Sequence, residues 1–419
     1  MTRIVIVAPP KSGVRGQAQG LVDEDTPFER ELSLTRSGVR DLSVGIVGTY
    51  PPTKCGIATF TASLAKAVVS AAPACRFGVL ACADQPSRAS LSPDVVGELV
   101  AGSAASREAA VAALDEFDVV VVQHEFGIFG GDDGCEIIDL VAELSAPVIV
   151  VLHTIPRRPS PGQQAVVEQL TELAERVVTQ SLAARTRLLE THAVEPEKVC
   201  MIPHGAPANL STDPGARDPA RSPVILTWGL LGPSKGIEWG IEAMALLRDL
   251  EPRPRYVVAG QTHPRIIERQ GEEYRDSLVA RAAALGISHL VEFDGVYRSP
   301  KASLALIHEA DIVLLPYRSR EQVVSGVLVE AIASGKPVVS TGFPHARELL
   351  GQGSGIIVGH GDVEAIAAAL HRLLTDPELS FRMAAAARRQ APGLFWGNVG
   401  ENYVQLVREV APDPQWVAR

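Results

Sequence analysis

Short runs of β-branched and aliphatic residues recur along the chain, each closed by Gly, Pro or a polar side chain and separated by stretches rich in Ala, Leu, Glu and Arg. In the first half the runs are SVGIVG (43–48), RFGVLA (76–81), DVVVVQ (118–123), PVIVVLH (147–153), RVVTQ (176–180) and VCMIP (199–203). In the second they are PVILTWG (223–229), RYVVAG (255–260), LVEFDG (290–295), DIVLLP (311–316), PVVS (337–340) and GIIV (355–358). The change of period between runs and intervening stretches predicts strands alternating with helices. Because the runs do not alternate apolar with polar, each strand is expected to be buried on both faces, in a parallel sheet between helical layers. The fold class is therefore α/β, with two Rossmann-like, doubly wound sheets. The helix expected after Lys235 illustrates the covering layer: Ile237, Ile241, Met244 and Leu247 share one face, while Glu238, Glu242 and Arg248 fall elsewhere.

The segment GAPANLSTDPGARDPARSP (205–223) is too rich in Gly, Pro and Asp to hold either element and marks the hinge between the sheets. The expected organisation is a polar, Gly-rich and partly mobile extension over 1–40, a first Rossmann-like domain over 41–212 and a linker over 213–222. A second Rossmann-like domain over 223–390 and C-terminal helices over 391–419 complete it. A length of 419 residues agrees with two cores rather than one.

Composition narrows the function classes. No apolar run approaches the roughly 18 residues of a membrane span, and MTRIVIVAPPKSG lacks a signal-peptide pattern, so a cytoplasmic protein with no stable membrane insertion is expected. Cys55, Cys75, Cys82, Cys135 and Cys200 form no Cys-x-x-Cys pair and are expected as reduced thiols. A formal charge of −10 with no dense Lys/Arg run disfavours nucleic acid and favours small-molecule partners. Oligomeric state is not readable from these features.

In doubly wound sheets ligands bind beyond the carboxyl ends of the strands, where turns lead into helix N-termini. GLLGPSKGIE (229–238) delivers Lys235 to such a start, as a phosphate ligand or as a surface lysine. In SGVLVEAIASG, Ser325 can N-cap, Gly326 permits close approach, and the N–H groups of Val327 and Leu328 are aimed at an anion. Glu330, about one turn on, can accept two hydrogen bonds from a diol, or be a solvated helix residue. Gly56 and Ile57 open a third helix after the first strand, and His124 and His153 follow neighbouring strands, where a ring N–H can reach a sugar hydroxyl. The Asp-Glu-Asp at 23–25 has no buried strand before it, so no metal site is expected there. Gly-x-Ser-x-Gly, His-Glu-x-x-His and an initial Gly-x-Gly-x-x-Gly are absent, which argues against the corresponding hydrolases and dehydrogenases.

With GTYPPTKCGIATFTASLAKAV, KVCMIPHGAP, GLLGPSKGIEWGIEAM and ADIVLLPYRSREQVVSGVLVEAIASGKPVVSTGFPHARELL, residues 43–410 resemble the retaining glycosyltransferases of family 4, which have the two-domain GT-B fold. The resemblance implies a UDP- or GDP-linked sugar held mainly by the second domain, a hydroxyl acceptor in the first, and no metal or other cofactor. It implies that Lys235 binds the diphosphate, that Ser325, Gly326, Val327 and Leu328 cradle its distal phosphate, and that Glu330 takes the ribose hydroxyls. Gly56 and Ile57 would approach the phosphate from the first domain. His153 would contact the transferred sugar, and His124 and Glu125 of QHEFGIFGG would line the acceptor side. Gly260, Val296, Tyr297 and Arg298 would form the base region, and APGLFWGNVGENYVQLVREV would cross back onto the first domain.

Two positions depart from the family pattern. Leu230 stands where an arginine is usual, and Gln322 where a glutamate is usual, with Glu321 one residue early. Either a cation such as Arg298 or Arg320 compensates for Leu230, or the site is weak. A phosphorylase or sugar-nucleotide epimerase of the same fold, or a sugar-nucleotide-binding protein that has lost catalysis, are the alternatives.

Overall fold

In the computed structural model of the chain, residues 42–87, 92–210 and 221–412 are described. The extension expected over 1–40, and most of the linker expected over 213–222, lie outside the described residues. The first sheet is built from β1 (Ser43–Gly48), β2 (Arg76–Ala83), β3 (Val95–Val100), β4 (Val119–His124), β5 (Val148–Leu152), β6 (Arg176–Thr179) and β7 (Val199–Met201). Its helices are α1 (Gly56–Ala71), α2 (Ala104–Leu114), α3 (Glu136–Glu143), α4 (Pro161–Leu173) and α5 (Leu182–Thr191). The second sheet contains β8 (Val224–Trp228), β9 (Arg255–Ala259), β10 (Val291–Asp294), β11 (Ile312–Leu315), β12 (Val338–Thr341) and β13 (Gly355–Val358). Around it run α6 (Ile237–Leu246), α7 (Pro264–Gln270), α8 (Glu273–Ala284), α9 (Pro300–Glu309), α10 (Gly326–Ala333), α11 (Pro344–Leu350), α12 (Val363–Thr375) and α13 (Pro377–Gln390), and α14 (Trp396–Val410) ends the described chain.

Both sheets are parallel throughout, in the orders β3-β2-β1-β4-β5-β6-β7 and β10-β9-β8-β11-β12-β13. Pleating explains the unbroken apolar runs: Val44 and Ile46 pack into one layer of the first half and Val47 into the opposite one. The second half repeats this, with Ile225 on one face of β8 and Leu226 and Trp228 on the other. The strand β3 was not among the expected runs, because as an edge strand it keeps its side chains partly exposed. In each sheet the winding direction reverses between a central pair, β1 and β4 or β8 and β11, so the turns after these strands open crevices at the carboxyl edge.

The halves are joined at several places, two of them extensive. The chain crosses back at its end, where Ala206 donates its N–H to Leu394 at 2.8 Å and Trp396 donates to Ala206 at 2.9 Å. The helix α14 then lies on α1 and adds Tyr403, Val404 and Val407 to the first-half core. The loop between β11 and α10 makes the second junction: Val323 is 4% exposed and packs into the first-half core, and its carbonyl accepts the Ser181 hydroxyl at 2.7 Å. Beside it, the Glu348 carboxylate of α11 accepts the N–H groups of Leu182 (3.0 Å) and Ala183 (2.9 Å), the first turn of α5. A carboxylate there satisfies donors that the helix itself cannot, and its charge suits the positive end of the helix dipole. Among the described residues no helix is long and apolar enough to cross a membrane, and all five cysteines carry free thiols.

Removing the Glu348 carboxylate, as in Glu348→Ala, is expected to cost about 0.5–2 kcal/mol in chemical denaturation. Hydrogen exchange at the Leu182 and Ala183 amides should accelerate in that variant; unchanged protection there would show that the carboxylate does not hold the two halves.

Candidate active site

The turn after β8 begins at Gly229, whose φ of 114° favours glycine. Its neighbour Leu231 bridges to Thr262, so the stretch after β9 runs alongside. Gly260 is confined in that packing: with φ 128°, a Cβ there would strike the Gly229 carbonyl. Pro233–Lys235 form a 3-10 turn and Gly236, at φ 59°, caps α6. Lys235 therefore precedes the helix instead of occupying its first turn, as the spacing had suggested. Its Nζ rests 4.1 Å from the centre of the Tyr317 ring, a cation–π seat that leaves ammonium protons free for an anion. The buried Glu238, expected off the apolar face, takes the Arg318 guanidinium and the Tyr274 hydroxyl. That pairing offsets the cost of its burial.

The turn after β11 carries Gln322 to Ser325 into α10. The Ser325 hydroxyl accepts the Leu328 N–H at 3.3 Å, while the Ser325 N–H donates to Nδ1 of His345 at 2.9 Å. This corrects one expectation: the Leu328 N–H is spent on the cap and its side chain is fully buried, so the free donors at this helix start are Gly326 and Val327. The Val327 side chain lies 3.6 Å from the position a Cβ on Gly229 would take, which sets the two donor-side turns against each other. Glu330, one turn on, accepts the Trp228 indole N–H at 3.1 Å through one carboxylate oxygen. Burial raises its pKa, and the Trp228 bond opposes that shift. The Gln322 amide donates to the Val324 carbonyl at 2.9 Å, bracing the same turn.

From the first half, Gly56 and Ile57 begin α1, whose N-cap is the Cys55 sulfur accepting from Ala58 at 3.3 Å. Apart from its own helix and chain neighbours, no atom of the described residues lies within 4 Å of where a Cβ on Gly56 would be, so this helix start is open. The two strand-end histidines differ. The strand β4 runs one residue further than expected, which buries His124 completely, with neither ring nitrogen bonded and the ring packed on Phe126 and Phe129. His124 is thus a core residue and not a cleft ligand in this conformation. His153 does line the cleft, but its ring is held between Gln123 (2.8 Å to Nε2) and Gln180 (3.2 Å to Nδ1). The ring consequently has no free nitrogen for a sugar hydroxyl. Burial depresses its pKa to about 3, with the nearby His204 and His124 adding to the effect. Glu125 accepts the Thr154 hydroxyl and has its pKa raised, chiefly by burial.

The base region is also more committed than its sequence suggested. The Gly260 N–H donates to the Asp294 carbonyl at 2.7 Å, and Arg298 is paired with the Asp294 carboxylate. Neither Gly260 N–H nor Arg298 charge is free for a nucleotide; Val296 and Tyr297 are exposed, with Lys54 of the first half 5.4 Å from the Tyr297 ring. Arg298 therefore does not compensate for Leu230. The cations near the donor turn are Lys235 and Arg265, both close enough to His263 to help depress its protonation behind the larger effect of burial. Arg265 also donates to the Gly127 carbonyl of the first half.

His204, in the MIPHGAP stretch, was missed. Its Nδ1 donates to the Gly205 carbonyl at 2.8 Å, and its Nε2 lies 2.9 Å from where a Cβ on Gly326 would sit. A side chain at the start of α10 would thus press on a first-half imidazole. Phe60 gathers His153, His204 and Trp396 around one ring, with centroids 4.9, 5.0 and 5.2 Å away.

Between the halves lies a cavity of about 770 Å³. His153, Thr154 and Arg157 line it from the first half, and Ser234, Glu321 and Gln322 from the second.

Residues 214–390 match the family model described as glycosyl transferases group 1. A D-inositol 3-phosphate glycosyltransferase of Kineococcus radiotolerans is 27% identical over 303 residues, 64% of this chain and 67% of that protein. One from Frankia alni is 31% identical over 271 residues, 60% of this chain and 63% of that protein. The match thus spans about two thirds of the length of these curated relatives. Among solved structures, Anabaena HepE in complex with UDP aligns with TM-score 0.67 at 16% identity, covering 88% of this chain and 100% of that one. Sucrose-phosphate synthase from Thermosynechococcus elongatus aligns with TM-score 0.69 at 17% identity, covering 90% and 100%.

The four buried imidazoles give this region a pH signature. Burial lowers the pKa of His345 and His153 to about 3 and of His124 and His204 to about 4, against an ordinary 6.5. The unfolded chain therefore binds more protons than the folded one over this interval, and stability falls as pH drops below about 6.5. His345→Gln should lower the slope of unfolding free energy against pH by about one proton, roughly 1.4 kcal/mol per unit between pH 4.5 and 6. Urea titrations at several pH values measure this, and an unchanged slope would mean that His345 is not held neutral. Residues 214–390 match the glycosyl transferases group 1 model, and the two sheets together have the two-domain GT-B fold.

Proposed function

We propose that this protein is a retaining, metal-independent glycosyltransferase that moves a sugar from a nucleotide-diphospho sugar to a hydroxyl acceptor. The observation that carries this reading is Lys235, whose cation is seated on Tyr317, together with the start of α10, whose Val327 side chain lies 3.6 Å from where a Cβ on Gly229 would sit. A diphosphate between them would meet a full positive charge and a helix dipole. Glu330 keeps one oxygen clear of protein partners for a ribose hydroxyl while Trp228 fixes the other. A structure of Anabaena HepE holds UDP-glucose, which supports a uridine-linked donor; a guanosine-linked donor remains the competing choice, decided by binding.

The route of the acceptor proton supports retention. Of the acids near the cleft, Glu125 is engaged by Thr154 and Glu321 by Arg187, while Glu330 is held by Trp228 and assigned to the ribose; His153 has both nitrogens bonded. The leaving diphosphate then serves as the base. As the bond from the anomeric carbon to the diphosphate oxygen breaks, the acceptor oxygen bonds to that carbon on the same face. Its proton passes to the departing diphosphate oxygen. Lys235 and the α10 N–H groups stabilise the charge that develops on the leaving group, so the step calls for no metal or cofactor. Among the described residues no three His, Cys, Asp or Glu side chains gather as a metal site. Closure of the two halves would align the acceptor hydroxyl with the anomeric carbon.

Incubation with UDP- and GDP-sugars should release the nucleoside diphosphate and give a product with the donor's anomeric configuration by NMR. Lys235→Ala is expected to lower kcat by about 100-fold or more. An inverted product, or a Lys235→Ala enzyme of unchanged rate, would overturn the reading.

A further inference from the structure

The cavity between the halves holds an imbalance of charge that donor binding does not use. Three arginines line it, all from the first half: Arg157, Arg158 and Arg187. Arg187 is committed, donating to the Ile155 carbonyl at 3.1 Å and the Glu321 carbonyl at 2.6 Å, with the Glu321 carboxylate 3.4 Å from its other terminal nitrogen. Glu321 is the one acid in the lining, and that pairing consumes it. Arg157 and Arg158 are exposed and make no hydrogen bond or ion pair with any described residue. Arg157 is also close enough to Arg187 for its charge to disfavour protonation there, behind the larger effect of burial and against the pull of Glu321. In a chain of net charge −10, a wall of adjacent guanidinium groups with one paired acid is a local reversal of sign.

We propose that Arg157 and Arg158 bind an anionic group, phosphate or carboxylate, on the acceptor. This rests on the transfer reading above. The placement separates the two anions of such a reaction. The donor's diphosphate belongs to Lys235 and α10 of the second half, whereas Arg157 and Arg158 lie on the first-half turn after β5, three and four residues beyond Thr154. Ser234, next to Lys235, lines the same cavity from the second half, so an acceptor anchored at the arginine pair would share it with the donor turn. A volume of about 770 Å³ suits a small molecule, such as a phosphorylated or oxidised sugar or polyol. The guanidinium fork matches both candidate anions.

The test uses the full chain saturated with UDP or GDP, whichever it binds, and calorimetric titration with glucose, glucose 6-phosphate and glucuronate at fixed ionic strength. At least one anionic sugar is expected to bind about tenfold or more tighter than glucose. The preference should weaken as salt rises, because the pair is exposed. Arg157→Gln/Arg158→Gln should abolish the preference while leaving nucleotide affinity and melting temperature in place. Preference for glucose 6-phosphate assigns phosphate and preference for glucuronate assigns carboxylate. Equal binding of all three sugars, or a double variant that keeps the preference, overturns the proposal. A double variant that loses nucleotide affinity also overturns it, since the arginines would then serve the donor. Failure of the unaltered protein to bind either nucleotide is a different result and counts against the transfer reading itself.

Discussion

One side chain of the second half, Val323, is buried in the core of the first, and the site is organised around that insertion. The turn that carries it has to satisfy two packing environments within five residues. Upstream, Glu321 meets Arg187; downstream, Ser325 caps α10 and binds His345. Burying an aliphatic side chain of this size is worth roughly 1.5–3 kcal/mol, and the Arg187–Glu321 pair beside it joins a largely buried guanidinium to a half-exposed carboxylate. The polar contacts set direction, and the apolar insertion adds holding force. The N–H groups proposed to receive a phosphate follow directly from this anchored turn, so their position depends on the relation between the halves.

The same region relies on imidazoles that stay uncharged. His345 must keep a lone pair on Nδ1 to accept the Ser325 N–H, and His153 must keep one to accept from Gln180. Burial enforces that state by disfavouring the cation. These histidines act as fixed hydrogen-bond parts, which is a different use from proton exchange. It also explains how the Phe60 cluster can press three rings together without accumulating positive charge.

The α/β layering was legible because strands buried on both faces leave continuous apolar runs, and the topology then fixed which turns reach the crevice. Less legible was anything decided by one residue of pleat or one turn of helix. His124 and His153 look alike in sequence, yet β4 extends through His124 and folds it into the core, while His153 follows its strand. Leu328 was expected among the anion ligands, but Ser325 claims its N–H. Glu238 looked solvated on helical spacing, but Arg318 and Tyr274 come to it from distant parts of the chain. His204 gave no local signal, since its importance comes from Gly326, which lies more than a hundred residues away. Long-range partners have no signature in the local pattern, and these are the features a single sequence withholds.

The crossing segments bear on how the molecule can move. The chain passes between the halves after β7 and again before α14, and at residues 206 and 394–396 the two passages are hydrogen-bonded side by side. Two adjacent tethers constrain rotation far more than one. They fix the two halves to each other beside Ala206, while the Val323 insertion fixes them at a second place. Any swing about the first place would have to draw Val323 out of the first-half core, so opening the cleft carries the cost of exposing that side chain.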